Sequence, residues 1–233
     1  MRNFFEWDTF LFFLSRIVTA LPVTLGILGV STAAGLALGL VLAFVQVENI
    51  PAAKSLARIL VSFIRGTPVI VQMFLVYYGL PFLLLKIGVN ITRWDKIIFL
   101  YITYGISTGA YFSEIMRSAI QSVPASQRDA AFASGLSKTQ AYRRILIPQA
   151  IPVAVPSLGT GIVGLLQDTS LAFMLGVTDV IGRVRALSSL RARVLEGYVA
   201  AALLFVILSA ALEKVFGVIE ARTARGPEYR GGV

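Results

Sequence analysis

Asp168 stands inside an apolar run, residues 151–177, in the sequence Gln167-Asp168-Thr169-Ser170. If that run crosses a bilayer, the carboxylate costs about 2.5–3.5 kcal/mol to insert, and a group carried at that cost is expected to meet a partner. Counted from Pro156 at about 1.5 Å per residue, it lies roughly 18 Å along a helix, near or beyond mid-membrane. A cation is the partner that a carboxylate suits, and Gln167, Thr169 and Ser170 would add neutral hydrogen bonds. The competing reading is structural: Asp168 caps or braces a break in its own helix.

A second constellation is Arg65-Gly66-Thr67-Pro68, with Gln72 one turn further on. Thr-Pro reads as an N-cap followed by a first helical residue, so one helix ends near Arg65 and another starts at Pro68. The new helix would open with unpaired N–H groups and a positive dipole end, which a broken membrane helix presents to anionic groups. Two placements are open for this break, at membrane depth or at the membrane face, since residues 68–85 nearly span alone. Arg65, Glu114 and Arg117 read as a charge network near one end of the spans, with a structural or gating role.

Several chemistries are excluded. The chain has no Cys and no His, so there is no thiol nucleophile, no imidazole base and no usual zinc or haem ligand set. The run Gly135-Leu136-Ser137-Lys138-Thr139 lacks the glycine beside the lysine that a phosphate-binding loop needs, so the chain should bind no nucleotide by itself. An intramembrane enzyme built on Asp168 or Ser170 would need a second carboxylate, and only a deep Glu114 could supply it. A passive channel or a scaffold is the other rival.

The elements that position these residues follow from composition. Of 233 residues, 57% are apolar and 14% charged, against about 45–50% and 25% in soluble domains; mean hydropathy is +0.80. About 20 apolar residues cross the hydrocarbon layer, so an all-α integral membrane protein with about five spans is expected, near residues 20–46, 55–85, 97–116, 151–177 and 198–219. Residues 4–17 are aromatic but broken by Glu6, Asp8 and Arg16, which suits a short interfacial helix within an N-terminal segment 1–19. The transmembrane domain is placed at 20–220, with a polar loop at 118–149 and a flexible tail at 221–233. Residues 179–196 form a second polar stretch with four arginines. Gly35-Leu36-Ala37-Leu38-Gly39 permits close helix approach. No removable signal peptide is expected.

The net charge of +9 reflects juxtamembrane Lys and Arg rather than nucleic-acid binding. Eleven of these cations fall on the side of the 47–58 link, the polar loop and the tail, against nine on the other, with Arg65 left in the break. The excess favours a cytoplasmic loop and C-terminus and an outside N-terminus.

Within the loop, Ser126 with Asp129 reads as a capping box opening a helix, and Gly135 is placed to end it. Ser137 with Gln140 repeats the box, and a second helix is expected to run from Lys138 until Pro148 stops it. Tyr142, Ile145 and Leu146 would anchor this knob to the membrane helices, and its small alanines would let a partner approach.

Asp129-Ala130-Ala131, three residues, Gly135, nine residues and Ile145-Leu146-Ile147-Pro148 resembles the EAA loop of membrane subunits of ATP-binding-cassette importers. Residues 65–72, Arg-Gly-Thr-Pro-Val-Ile-Val-Gln, with Glu114-Ile115-Met116-Arg117 and Gln167-Asp168-Thr169-Ser170-Leu171, resemble the polar amino-acid uptake branch of that family. Departures are Ser126 for Gly, Asp129 for Glu, Gln167 for a common Lys, and Ile151-Pro152 for a frequent basic residue. The resemblance implies a bacterial inner-membrane permease that breaks no bond itself. Its implied partners are a second permease subunit, a separate ATPase that carries the ATP and Mg, and an extracytoplasmic binding protein. The implied substrate is a polar or charged amino acid: cystine, glutamine or a basic amino acid, with a lean to cystine on the runs 157–160 and 168–171. It also implies that Ser126, Asp129, Ala130, Ala131, Gly135 and Pro148 dock the ATPase, and that Thr67, Gln72, Gln167, Asp168 and Ser170 line the substrate path.

Overall fold

The computed structural model describes residues 4–223. The expected tail beyond residue 223 and the first three residues of the N-terminal segment lie outside the described residues. The described chain is helical throughout, with no strand. In chain order the helices are α1 Trp7–Ile17, α2 Leu21–Val47, α3 Ala53–Arg65, α4 Val69–Phe74, α5 Leu80–Leu85, α6 Lys96–Ser122, α7 Ala125–Ala133, α8 Lys138–Ala141, α9 Ile147–Asp168, α10 Val180–Arg191 and α11 Leu195–Thr223.

Three helical runs are long and apolar enough to cross a membrane: Trp7–Val47, Lys138–Leu175 and Leu195–Thr223. The pair Ala53–Arg65 and Val69–Leu85, bent by 111°, makes a fourth. With 27 residues, α6 is about 40 Å long, enough to cross, but it is more polar than the others. Its polarity follows from its place at the centre of the bundle. Thr103, Tyr104, Ser107, Thr108, Phe112 and Ser113 are buried by neighbouring helices rather than by lipid.

Contact between α2 and α6 is made close by glycine on both sides. A Cβ on Gly35 would lie 2.8 Å from the Thr108 side chain, and one on Gly39 would lie 2.9 Å from Phe112 Cβ. The two glycines form the small-xxx-small pattern that lets membrane helix backbones approach. Around this contact Ile27, Leu100, Tyr104, Phe112, Leu165 and Leu166 form the main core.

Three local readings need correction. The N-terminal helix does not stand apart: α1 runs through the 3-10 turn Val18–Ala20 straight into α2. Pro22 sits in the first turn of α2, where a missing N–H leaves no bond unmade. The buried face of α1, Phe10, Phe13 and Ile17, packs on Val180, Val184 and Ala200.

Pro148 does not stop the loop's second helix. The chain passes from α8 through the π turn Tyr142–Leu146 into α9, with Pro148 in its first turn. The wider turn shifts the bonding register just before the residue that cannot donate. The same device precedes Pro81, where the π turn Leu75–Gly79 joins α4 to α5.

The polar stretch 179–196 also folds. Asp179 caps α10 by accepting from Gly182 N at 2.8 Å and Ile181 N at 3.3 Å, as a residue at an N-cap should.

Candidate functional site

Asp168 ends α9 where the chain tightens into the 3-10 stretch Thr169–Leu175. Its main-chain carbonyl accepts from Tyr104 Oη at 2.7 Å, and Thr169 Oγ1 donates to Leu166 O at 2.6 Å. These two bonds hold the backbone at the transition. The Asp168 side chain makes no cap and is exposed, as is Gln167 beside it, while Ser170 is half-buried. The carboxylate is therefore free to meet a group from outside its own helix.

The break at residues 66–68 is stitched by side chains. Pro68, with φ −61° and ψ 139°, is itself the extended residue before α4, and no side chain caps that helix. Thr67 Oγ1 donates back to Phe63 O at 2.9 Å, so it serves the helix it leaves rather than the one it precedes. Gln72 Nε2 donates to Ile64 O at 2.7 Å and to Thr67 O at 2.9 Å. Gln72, only 4% exposed, thus satisfies carbonyls at the end of α3, while its Oε1 is buried with no hydrogen-bond partner among the described residues.

Arg65 and Asp168 attach to α6 at different heights. The Arg65 guanidinium lies over the Tyr111 ring, 5.7 Å from its centroid, whereas Asp168 is held by Tyr104. Seven residues of helix separate those tyrosines, about 10 Å. The break and the carboxylate are therefore offset by two turns along the bundle. Arg117 Nε donates to Glu114 Oε2 at 3.0 Å, and a second ion pair joins the same side chains. Arg65 shares a cavity with this pair rather than bonding to it.

In the loop, Pro124 takes the position before α7, with no side-chain cap. Ser126 is consequently the second residue of the helix, and the capping box expected of Ser126 and Asp129 is absent. Ser126, Asp129, Ala130, Gly135 and Pro148 are exposed, whereas Ala131 is buried. Gly135 adopts φ +79°, with Gly135 N donating to Phe132 O at 2.9 Å and Leu136 N to Ala131 O at 3.1 Å. This pair of bonds is the Schellman closure that glycine makes possible. The second box is present: Ser137 N donates to Gln140 Oε1 at 2.8 Å and Gln140 N to Ser137 Oγ at 3.4 Å.

Sequence reasoning missed Glu48, which follows the last residue of α2. It pairs with Lys138 and accepts from Tyr142 Oη, tying the loop to the α2–α3 link. Burial opposes its ionisation, but the bonds from Lys138 and Tyr142 outweigh it and hold the carboxyl below its usual range. Leu146, with Tyr142 packed beside it, joins Ala119, Val123, Ala150 and Ala154; Ile145 is half-buried.

At the other end, the arginines of residues 183–193 are not simply solvated. Arg185 lies over Phe173 at 4.5 Å and Arg191 over Phe12 at 3.6 Å, and Arg193 bonds Glu196 at 3.1 Å and also pairs with Glu6.

Residues 35–225 match the family described as binding-protein-dependent transport system inner membrane component. The chain is 39% identical over 222 residues to the L-cystine transport system permease protein TcyL of Bacillus subtilis (strain 168), covering 95% of this chain and 93% of that one. It is 29% identical over 218 residues to the glutamine transport system permease protein GlnP of Escherichia coli (strain K12), covering 94% and 97%. Its fold matches a chain from a crystal structure of an amino acid ABC transporter with histidines at a TM-score of 0.82, 27% identity, and 94% and 99% coverage. The chain belongs to the binding-protein-dependent transport system inner membrane components, on the branch whose relatives are amino-acid permeases: a multi-pass inner-membrane transport subunit and not an enzyme.

Proposed function

We propose that this chain forms the translocation path of an ATP-driven importer for a polar or charged amino acid, with cystine first among the candidates. The observation that carries the reading is the Asp168 carboxylate, exposed on a membrane helix with its backbone anchored and no hydrogen bond or ion pair among the described residues. A carboxylate in that state suits the ammonium group that every amino acid carries. Likeness to a cystine permease over nearly the whole chain supports the order of candidates.

The subunit works as a pair, with itself or with a similar permease, and with a separate ATPase that binds the ATP and Mg. The ATPase docks on the exposed face of α7 and the Gly135 turn. Its closure moves the loop, and Glu48, Tyr142 and Leu146 pass that movement to α2 and α9. An extracytoplasmic binding protein delivers substrate to the opposite end, near α10. The loop and C-terminus face the cytoplasm and the N-terminus faces out.

The test is copurification of the solubilised chain with its host ATPase, followed by ATP hydrolysis in lipid across a panel of amino acids with the cognate binding protein. Stimulation by cystine above the others is expected. Stimulation by another amino acid would replace the substrate, and absence of an associated ATPase would overturn the importer reading. A reporter fused after Val233 should read cytoplasmic; a periplasmic signal would reverse the orientation.

A further inference from the structure

Helix α3 carries its charges inward. Lys54, Arg58, Val61 and Arg65 recur at helical spacing, on the face that lines a polar cavity of about 390 Å³ with α2 and α6. Leu56, Ile59 and Phe63 are exposed on the opposite face. A surface helix in water has the reverse arrangement. In a membrane chain, cations turned into the bundle line a water-filled cavity and mark the path of a charged or polar solute.

The charges of this cavity do not balance. Lys54, Arg58, Arg65 and Arg117 line it with Glu114 as the one carboxylate among the lining residues. That carboxylate is committed to Arg117. Lys54 donates to the neutral Asn49 Oδ1. The Arg65 guanidinium rests on the Tyr111 ring, a contact that uses none of its N–H groups. Arg58 has no hydrogen bond or ion pair among the described residues. The cavity is therefore net positive, with guanidinium donors to spare.

A second observation points to what it accepts. Gln46 lines the same cavity and is only 6% exposed, and its Nε2 is buried without an acceptor. A buried donor left without an acceptor is costly, and here it stands among cations. Guanidinium and amide N–H groups around one cavity match an anion with several acceptor oxygens. We propose that this cavity binds a small oxyanion, either the carboxylate of an amino acid or inorganic phosphate, with Arg58, Arg65 and Gln46 as its donors. The site is separate from Asp168, which is offset from Arg65 by two turns along α6, so it does not depend on the reading of that carboxylate.

The test is NMR line broadening with the full-length chain, and any subunits that accompany it, in dodecyl maltoside. It is read on the phosphorus signal of inorganic phosphate and on the carboxyl-carbon signal of labelled glutamine. At least one probe should bind, with affinity falling roughly tenfold in Arg58→Gln, the scale of one charge-assisted hydrogen bond. Gln46→Leu should also weaken binding, without lowering thermal stability, because its Nε2 gives up no bond. Lys214→Gln, which removes the same charge from α11, should leave affinity unchanged. Displacement of phosphate by glutamine, but not by glutamine methyl ester, would identify a carboxylate site. Phosphate that glutamine does not displace would identify a phosphate site. Absence of Arg58-dependent broadening of either signal, or equal loss in the α11 variant, would overturn the proposal. A less stable Gln46→Leu chain with unaltered affinity would also overturn it, by making the amide structural.

Discussion

Tyr104 Oη donates to the main-chain carbonyl of Asp168 at 2.7 Å, joining residues 64 apart in the chain. The bond fixes the point where α9 tightens, yet it leaves the Asp168 carboxylate unengaged. Backbone anchoring and side-chain availability are thereby separated, and two substitutions should separate them in measurement. Tyr104→Phe should lower the thermal stability of the purified chain by about 1 kcal/mol, the net worth of one hydrogen bond. Asp168→Asn should leave thermal stability unchanged and cut uptake by about tenfold, the scale of one charged hydrogen bond. Uptake kinetics untouched by Asp168→Asn would make the residue structural.

Gln72 closes the 111° bend between α3 and α4 by donating to Ile64 O and to Thr67 O, one on each side of Gly66. Gln72→Leu should therefore destabilise the chain by about 1–3 kcal/mol, the penalty for buried groups left unsatisfied. Proteolysis near residues 66–68 should rise with it. A stable Gln72→Leu chain with selectively altered uptake would instead place Gln72 on the substrate path.

Gly135 closes α7 at φ +79°, with open space where a Cβ would stand. Gly135→Val therefore meets no clash at Cβ but forces a branched residue into the left-handed region, at about 1–2 kcal/mol. The loop should change shape while the membrane helices remain assembled. Transport should be lost with membrane insertion and binding-protein docking intact; unchanged uptake would remove the loop from the coupling path.

Asp179 caps α10 while fully buried. Burial raises its carboxyl from 3.8 to about 6, against the opposing bonds from Gly182 and Ile181. The folded chain binds this proton more tightly than the unfolded chain does, so the contribution is fully present below pH 3.8 and is lost as pH rises through about 6. Asp179→Asn keeps the cap and removes the charge. Thermal unfolding between those two pH values should then lose the Asp179 part of its pH dependence; an identical profile would refute the assignment.

Local signals were legible and long-range ones were not. The Ser137–Gln140 box and the Gly135 turn are written within four residues, so spacing alone placed them. The Ser126–Asp129 box failed because Pro124, two residues earlier, already occupied the capping position. The stop expected at Pro148 failed because a π turn can absorb a proline, and hydrophobic spacing does not announce one. The helix over residues 180–191 is masked in the sequence by its arginines, although Asp179 carries a capping signal. The bonds of Gln72 to Ile64 O and Thr67 O are not legible in the sequence, because those carbonyls come within reach only where the chain bends.

What the sequence determined by itself is the chain's solvent and its local punctuation. Apolar runs too long for a soluble core require lipid, and glycine, proline and capping residues divide those runs wherever the competing signal lies within one turn. The tertiary structure decided which polar groups are spent and which are left over. Glu48 meets Tyr142 across 94 residues, Tyr104 reaches Asp168 across 64, and the cations of α3 collect around Gln46. The physical reason is that a hydrogen bond or an ion pair depends on distance in space, and distances between separate helices follow from packing, here from glycines that let α2 and α6 touch.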